Sequence, residues 1–351
     1  MLTVRARGLA SAFGPTRSNV VTAIQDDRTA LFANPSQIDA AFNKQICAFR
    51  DREAVGCFEA RVAALADEAV RDLLSTNSVE SGPTWDVALV LPEPDQGLAI
   101  QRLQAAADGM LRVAVEALGE AGIAVSTRVN MRPYGHAAVG WCLADRLYRP
   151  AEPTAPLLVI AADSYSDRAR LRMLDDGGRL FSDRNPYGLV PGEMGGALLL
   201  TSDGDSDVRG EHIAAASATR EPVPETTEAE TLFQALSDAS LAALTAMDVG
   251  AVDAWFTDWN NGRYRASEFA YTAIRVSDFL APGLEPTHPS LLLGDVGAAS
   301  GLVPIVLGDT LQPTLRSCLV TSGSFSGLRS AFVCRRYLSA TPADQEGRRI
   351  L

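Results

Sequence analysis

The sequence predicts an α/β protein whose sheets are covered by helices on both faces and whose chain consists of two similar halves. The predicted strands are continuous apolar runs, which is typical of strands buried on both faces. Segments with apolar residues at helical spacing separate these runs. A polar segment at 202–212 divides the chain, and the elements after it resemble those before it. We therefore predict an N-terminal half over 1–205 and a C-terminal half over 206–351.

The first half contains three predicted buried strands, at 85–92, 155–163 and 195–202. Between the first two, residues 103–122 have apolar side chains at helical spacing and end on a glycine, which favours a helix.

The second half repeats this alternation of strands and helices. We predict strands at 212–218, 251–260, 317–324 and 327–337, and helices at 229–250 and 266–280.

Composition excludes several classes of protein. Hydrophobic residues make up 47% of the 351 residues, enough for a large core, and the net charge of −12 argues against a nucleic-acid partner.

No apolar run approaches the roughly 18 residues that span a bilayer, and the N-terminus does not resemble a signal peptide, so we expect a soluble cytoplasmic protein without a membrane segment. The five cysteines form no CxxC pair and the three histidines show no ligand spacing, so we predict neither a metal site nor a cofactor.

Two segments, 134–147 and 294–311, each precede a predicted buried strand and begin with glycine, one other residue, and then small residues. Such a start allows a tight turn and close packing of a helix, a role we assign to Gly135, Gly294 and Gly297. The residue after the first glycine is His136 in one segment and Asp295 in the other. The matching elbows suggest a pocket between the two halves.

Several segments in order resemble the β-ketoacyl synthase branch of the thiolase-like superfamily. They are VRARGLASAFGPTRSNVVTAI (4–24), AADSYSD (161–167), RNPYGLVPGEMGGALLL (184–200), GDVGAASG (294–301) and SGSFSGLRSAFV (322–333). The resemblance implies a thiolase-like fold of two similar βαβαβαββ halves in a five-layered αβαβα arrangement. It also implies a homodimer formed through an edge strand, for which we expect the strand at 155–163.

The chemistry of that family needs a cysteine on the first elbow and two histidines from the second half. Counting back from the strand at 155–163 places His136 at the nucleophile position, within one residue, and Cys142 lies about two helical turns further on. Asn260 and Asn261 stand where the first histidine is expected, and Asp295 takes the place of the second. The resemblance thus implies a degenerate site.

The closing motif has also lost a glycine and an asparagine around Phe325. Gly192 and Glu193 of PGEMGG are interpreted as structural, with the carboxylate accepting backbone donors. Asp163 and Ser164 are interpreted as a strand-end turn near a subunit interface, and no nucleophile elbow of the Gly-X-Ser-X-Gly type surrounds the serine.

Two arginines, Arg263 and Arg265, are the candidates for binding an acidic ligand or partner, since guanidinium forks match carboxylates and phosphates. His212 and His288 are interpreted as structural. His136 and Asp295 are expected to meet in one central pocket and bond, which raises the pKa of the histidine.

Three functions remain open from the sequence. The first is a ketosynthase-like pseudoenzyme that acts by binding, as an adaptor. Degenerate proteins of this kind resemble those encoded near type VI secretion effectors, which implies an accessory role in effector loading. The second is an acyltransferase or related enzyme with altered residues such as His136 or Asp295. The third is a non-catalytic partner subunit of an active β-ketoacyl-ACP synthase. The candidate protein partners are accordingly a secretion effector, a ketosynthase and an acyl carrier protein.

Overall fold

The computed structural model describes residues 1–38, 43–51, 57–77, 84–94, 97–148, 155–202, 210–227, 229–247 and 250–337. Within these residues the chain forms eleven strands. They are β1 (Leu2–Ser11), β2 (Phe32–Ile38), β3 (Lys44–Cys47), β4 (Thr84–Leu91), β5 (Ala124–Pro133), β6 (Leu157–Ser164), β7 (Glu193–Thr201), β8 (Gly210–Arg220), β9 (Ala254–Thr257), β10 (Ser317–Gly323) and β11 (Leu328–Tyr337).

The same residues contain nine α-helices and three short 3-10 helices. The α-helices are α1 (Arg17–Gln25), α2 (Phe58–Thr76), α3 (Ile100–Glu120), α4 (Ala138–Tyr148), α5 (Arg168–Asp176), α6 (Gln234–Thr245), α7 (Arg263–Val276), α8 (Ser290–Leu293) and α9 (Val303–Leu311). The 3-10 helices span Gly135–Ala137, Ser277–Phe279 and Gly297–Leu302. None of the described helices has both the length and the apolar character that crossing a membrane requires.

Nine strands are connected in the order β5-β4-β6-β7-β1-β8-β11-β10-β9, and β2 and β3 pair separately. The first five belong to residues before 202 and the last four to residues after 209. Within the described residues, the two groups are joined where β1 meets β8, at the pairs Leu2–Ile213 and Thr3–His212. Five strands and four strands thus form two sheets that share a narrow junction.

Alternate side chains along each strand enter different apolar layers. On β4, Val87 and Leu89 pack with the buried residues of α2 and α3, whereas Ala88 and Val90 pack with those of α4 and α9. A third cluster joins α6 to the outer face of the second sheet. The result is five layers in which helices and sheets alternate, as the resemblance to the β-ketoacyl synthases implies. It explains the continuous apolar runs, because both faces of each central strand are buried.

The helices of the middle layer connect the two sheets. α4, from the first part of the chain, packs against β8 and β11 of the second sheet. From the second part, the Gly297–Leu302 turn packs against β6 and β7 of the first sheet, and α9 packs against β1 and β7. Each elbow therefore points toward the other at the centre of the molecule.

Element boundaries in the second part differ from the predicted ones. The helix predicted over 229–250 begins only at Gln234, because Phe233 adopts the left-handed region at φ 50° and its backbone N–H bonds the Thr231 hydroxyl at 3.1 Å. The strand predicted over 251–260 is confined to Ala254–Thr257, and the helix predicted over 266–280 starts at Arg263 and becomes a 3-10 turn after Val276. The predicted boundary at 205/206 lies outside the described residues, as do residues 203–209 and 248–249.

Beside β9, one segment of the second part runs alongside the sheet without forming a continuous strand. Among the described residues, the segment 280–287 forms two isolated parallel bridges with the neighbouring chain, Val252–Leu280 just before β9 and Phe256–Thr287 within it. Pro282 and Pro286 lie in this segment and have no backbone N–H to donate, which prevents a continuous ladder.

The expectation that the strand at 155–163 lies at an edge is wrong. β6 pairs with β4 on one side and β7 on the other, which agrees with its burial along its whole length. The edge of the first sheet is β5, which pairs only with β4 in the described part of the chain and is largely solvent-accessible.

Candidate functional site

The first elbow lies between β5 and α4. Gly135 adopts φ 63°, a left-handed conformation that glycine reaches without strain, and a β-carbon there would lie 3.3 Å from Oγ of Ser324. The Ser324 hydroxyl donates to the Tyr134 carbonyl and accepts from the Ala137 N–H at 3.0 Å. This turn presents the side chain of His136 to the interior, where it is 2% exposed.

The second elbow holds Asp295 by its backbone against the segment that precedes β7. The Asp295 N–H donates to the Val190 carbonyl at 2.7 Å, and the Gly192 N–H donates to the Asp295 carbonyl at 2.9 Å. A β-carbon on Gly192 would lie 2.5 Å from the Leu293 carbonyl oxygen, so only glycine fits there. The PGEMGG and GDVGAASG motifs are therefore adjacent parts of one structure. Gly294, at a positive φ of 71°, makes the turn from α8 into Asp295.

Gly297 is fixed by a buried ion pair from the other part of the chain. Its φ is 53°, and a β-carbon would lie 1.8 Å from Oδ2 of Asp163. Asp163 accepts the Ala298 N–H at 3.0 Å and pairs with Arg170 at 2.5 Å. The strand-end turn that the sequence places at Asp163 thus anchors the second elbow.

At the centre, Nε2 of His136 lies 2.8 Å from Oδ1 of Asp295, so the predicted contact is present. Asp295 accepts three further hydrogen bonds, from Nδ2 of Asn260 at 2.6 Å, the Gly297 N–H at 2.8 Å and the Tyr165 hydroxyl at 3.3 Å. Both side chains of the pair are buried. A carboxylate with this many donors is stabilised in its ionised form.

The pKa values of the pair move in opposite directions. Burial alone would lower the pKa of His136, but the negative charge of Asp295 and its hydrogen bond outweigh burial and raise it. Burial alone would raise the pKa of Asp295, but His136, Asn260 and the Gly297 N–H together lower it. Burial and the charge of Asp295 raise the pKa of Tyr165 well above its usual value, so its hydroxyl stays a donor. The site therefore favours an imidazolium–carboxylate pair.

The ring of Phe325 packs against the imidazole of His136. Its ring meets the His136 ring edge to face, with centroids 5.3 Å apart and planes at 82°. Glu93 accepts the backbone N–H groups of Phe325 and Ser326 at 2.5 Å and 3.0 Å. Arg329, which is fully buried, donates to the Ser324 carbonyl at 2.7 Å from the other side of this turn. The turn that carries Phe325 is therefore held in place against His136.

Little space is left beside the carboxylate. The cavity next to Asp295 measures about 10 Å³, the scale of a single water molecule. All five cysteines are free, and Cys142 lies in the middle-layer core on α4 rather than on the elbow. Among the described residues, the hydrogen bond to Asp295 is the only one made by the His136 ring.

The asparagines at the predicted histidine position separate in the structure. Asn260 faces the site and bonds Asp295, as given above. Asn261 is left-handed at φ 76° and turns away, with Nδ2 donating to the Pro186 and Gly188 carbonyls at 2.7 Å and 3.1 Å. Only the first asparagine therefore belongs to the candidate site.

The two arginines predicted to bind a ligand also separate. Arg265 is 3% exposed and pairs with Asp258 at 2.5 Å and Glu225 at 3.1 Å. The prediction that Arg265 binds a ligand is therefore wrong, because the side chain is buried and pairs with two carboxylates of the protein itself. Arg263 is exposed, and its guanidinium lies 3.9 Å from the centroid of the Tyr187 ring.

A cleft of about 350 Å³ opens in front of this region. Asn260 forms part of its wall, so the cleft is separated from Asp295 by one side chain. Its lining consists of Gly178, Arg179, Asn185, Tyr187, Leu189, Glu225, Asn260, Gly262 and Arg263.

The remaining predicted structural residues lie in the core or in bonded positions. Glu193 accepts the Arg50 N–H at 2.7 Å, as predicted for a structural acid, and also pairs with Arg61. His212 is buried at the junction of the two sheets with Nδ1 3.1 Å from the Thr3 hydroxyl. His288 bonds the Thr257 hydroxyl at 2.7 Å.

Sequence reasoning missed Tyr165, Arg170 and Glu93. Tyr165 lies in the AADSYSD segment that the family resemblance marks, but nothing local in the sequence indicates that its hydroxyl reaches Asp295. Glu93 follows the end of β4, and its partner turn lies more than two hundred residues away.

Comparison with known proteins gives a consistent result for the fold. No family model and no curated protein matches the chain. A type II polyketide ketosynthase in complex with its acyl carrier protein matches with a TM-score of 0.74 at 13% identity, over 96% of this chain and 99% of that one. The ishigamide ketosynthase/chain length factor matches with a TM-score of 0.65 at 15% identity, again over 96% and 99%. A β-ketoacyl synthase from Burkholderia phymatum matches with a TM-score of 0.66 at 13% identity, over 96% and 99%.

These likenesses define the class of protein by fold. The chain has the ketosynthase, thiolase-like fold over nearly its full described length. At identities of 13% to 15% the comparisons extend to architecture alone.

Proposed function

We propose that this protein is a non-condensing member of the ketosynthase fold that acts by binding a partner. The observation that carries the proposal is the 2.8 Å bond between His136 and Asp295. It occupies the place where the family resemblance puts the nucleophilic cysteine and one of the two histidines.

The chemistry of the observed side chains supports this proposal. Condensation begins with attack by a thiolate on a thioester, and the elbow presents an imidazole whose Nε2 is already bonded to a carboxylate. An ionised Asp295 can only accept hydrogen bonds, so it cannot stabilise an enolate oxygen by donation. The Asn260 amide, which can donate, is committed to Asp295. Each position in the site lacks the group that the reaction needs.

Intact-mass measurement tests the absence of thioester chemistry. The protein is incubated with acetyl and malonyl thioesters of coenzyme A and of an acyl carrier protein, and free thiol is followed in the same samples. We expect no stable mass increase and no thiol release above the rate without protein. Release without an adduct would support the altered enzyme, with His136 acting as base. His136→Ala would then abolish the release, whereas Cys142→Ala, on a buried cysteine of α4, would leave it unchanged.

A binding role needs a protein partner. An effector protein loaded by a type VI secretion system, an acyl carrier protein and a ketosynthase are the candidates implied by the resemblance. Purified candidates encoded beside this gene are mixed with the protein and analysed by size exclusion with light scattering. A complex of defined stoichiometry supports the adaptor, and the identity of the neighbouring genes separates the secretion setting from the biosynthetic one.

A second candidate, a non-catalytic partner subunit of an active ketosynthase, is favoured by β5. This edge strand pairs on one side only within the described residues, and the similar ishigamide protein is a ketosynthase/chain length factor. Co-expression with a neighbouring ketosynthase would then yield a heterodimer whose condensing activity exceeds that of the ketosynthase alone. Unchanged activity in a stable heterodimer would argue for the adaptor.

A further inference from the structure

Two guanidinium groups lie over aromatic rings at the 350 Å³ cleft. Arg179 lies 3.8 Å from the centroid of Phe325, and Arg263 lies 3.9 Å from that of Tyr187. Stacking fixes the plane of a guanidinium and leaves its N–H edge free to bond. Both arginines line the cleft, and the ring beside each one restricts the positions that its guanidinium can take.

Both guanidinium groups have unused hydrogen-bonding capacity. Nη2 of Arg179 is buried without a hydrogen-bond partner, and its nearest carboxylate oxygen, on Glu225, is 4.0 Å away. Arg263 makes neither a hydrogen bond nor an ion pair with any side chain in the described residues; its contact is the Tyr187 ring. A buried donor without an acceptor costs free energy, which a ligand oxygen would recover.

The carboxylate in the cleft does not neutralise this charge. Glu225 is bonded through Oε2 to Nε of Arg265 at 3.1 Å, and Arg265 is also paired with Asp258 at 2.5 Å. The three arginines and two carboxylates of this cluster leave one positive charge. The cleft is therefore electropositive although the whole chain carries a net charge of −12.

We propose that the cleft binds a small organic anion whose phosphate or carboxylate group lies between Arg179 and Arg263. The volume is within the range of small-molecule sites. Guanidinium forks match the oxygen spacing of both anionic groups, so the two sources share one recognition chemistry. The proposal goes beyond the proposed function, since it requires neither the loss of condensation nor a protein partner.

Calorimetric titration tests the site with two probes, inorganic pyrophosphate and malonate, at constant ionic strength. We expect saturable binding of one probe molecule per chain. Arg263→Gln should weaken it at least about tenfold, and Tyr187→Leu, which removes only the stacking surface, should weaken it less. Arg112→Gln is the matched control, because Arg112 is an exposed arginine of α3 outside the cleft.

The two probes identify the source of the anion: tighter binding of pyrophosphate indicates a phosphorylated ligand, and tighter binding of malonate indicates an organic acid. Arg263 is exposed, so its variant should fold, and a thermal melt of each variant verifies this. Absence of saturable binding at millimolar probe overturns the proposal. So does an equal loss in Arg112→Gln and Arg263→Gln, which would mean diffuse charge attraction. Neither result alters the expected outcome of the thioester experiment, so the two proposals fail independently.

Discussion

His136 and Asp295 are separated by 159 positions in the chain, yet Nε2 of one lies 2.8 Å from Oδ1 of the other. Each residue stands on an elbow that begins a segment of the middle layer, and the two elbows come from opposite parts of the chain. The bond therefore joins these parts at the centre of the fold.

A double-mutant cycle measures this bond. Asp295→Ala leaves a buried imidazole without its partner, and His136→Ala leaves a buried carboxylate with one donor fewer, so each should lower the free energy of unfolding by about 1–3 kcal/mol. Because removing either partner already breaks the same contact, the double variant should cost less than the sum of the singles. Urea denaturation of the four proteins checks this, and strictly additive effects would show that the side chains do not interact.

Stability should depend on pH through the same pair. The pKa of Asp295 is lowered from 3.8, so its contribution is present above that value and is lost as pH falls through its folded pKa. The pKa of His136 is raised from 6.5, so its contribution is present below that value and is lost as pH rises through its folded pKa. The pair should therefore stabilise most between these limits.

The reference for that measurement is the His136→Ala/Asp295→Ala protein, which lacks both titrating groups. The difference in unfolding free energy between wild type and reference should be larger at about pH 5 than at about pH 9. A difference that stays constant or grows toward alkaline pH would contradict the assignment of a charged histidine.

Gly297→Ala should be strongly destabilising. The residue has φ 53° and its new β-carbon would lie 1.8 Å from Oδ2 of Asp163, which is itself held by Arg170. We expect a loss of at least about 3 kcal/mol, since strain and a disrupted buried ion pair act together. Gly119→Ala is the control: it lies in α3 with nothing near the added carbon, and it should stabilise by up to about 1 kcal/mol. Thermal denaturation of both variants decides the point, and equal melting temperatures would refute it.

The buried pair between Arg329 and Glu268 fixes the turn that carries Phe325. Nε of Arg329 donates to Oε1 of Glu268 at 2.5 Å, and both side chains are nearly inaccessible. Arg329→Leu should cost about 3–5 kcal/mol, because it leaves a carboxylate in the core. The double variant with Glu268→Leu should recover part of the loss. If the double variant is as unstable as the single one, the buried charge is not the cause.

The chain should form a homodimer at micromolar concentration through β5. In the described part of the chain β5 pairs on one side, and such an edge is a template for a second strand, so that a two-fold axis would extend the sheet across two copies. Multi-angle light scattering should give twice the 37.3 kDa mass of one chain. A monomer mass in the absence of other proteins would contradict this prediction, and Asn130→Lys, which places a charge on the edge, should shift a dimer toward monomer.

The central contact could be predicted because the two elbows are local in sequence and the family resemblance implies that both face one pocket. The glycines around His136 and Asp295 mark the two elbows, and the apolar runs mark the sheets that position them. The burial of Arg265 could not be predicted, because one of its two carboxylates, Glu225, comes from a segment 40 residues earlier. Its neighbour Arg263 has the same chemistry and is exposed, and the sequence contains no signal that distinguishes the two.

The edge of the first sheet was assigned wrongly for a similar reason. Strand order depends on which strands pair, and the burial pattern of 155–163 already fits a central strand better than an edge strand. The left-handed Phe233 likewise follows from the Thr231 turn rather than from helical periodicity, which continues through it.

Helices of the middle layer pack on the sheet formed by the other part of the chain, and this affects how the chain can fold. α4 packs on β8 and β11 of the second sheet as well as on β4 of the first, and α9 packs on β1 and β7 of the first sheet. Expressed alone, either part would expose to water an apolar helix face and a sheet face that the other part buries. We therefore expect the chain to unfold as a single cooperative unit, with neither part folding on its own.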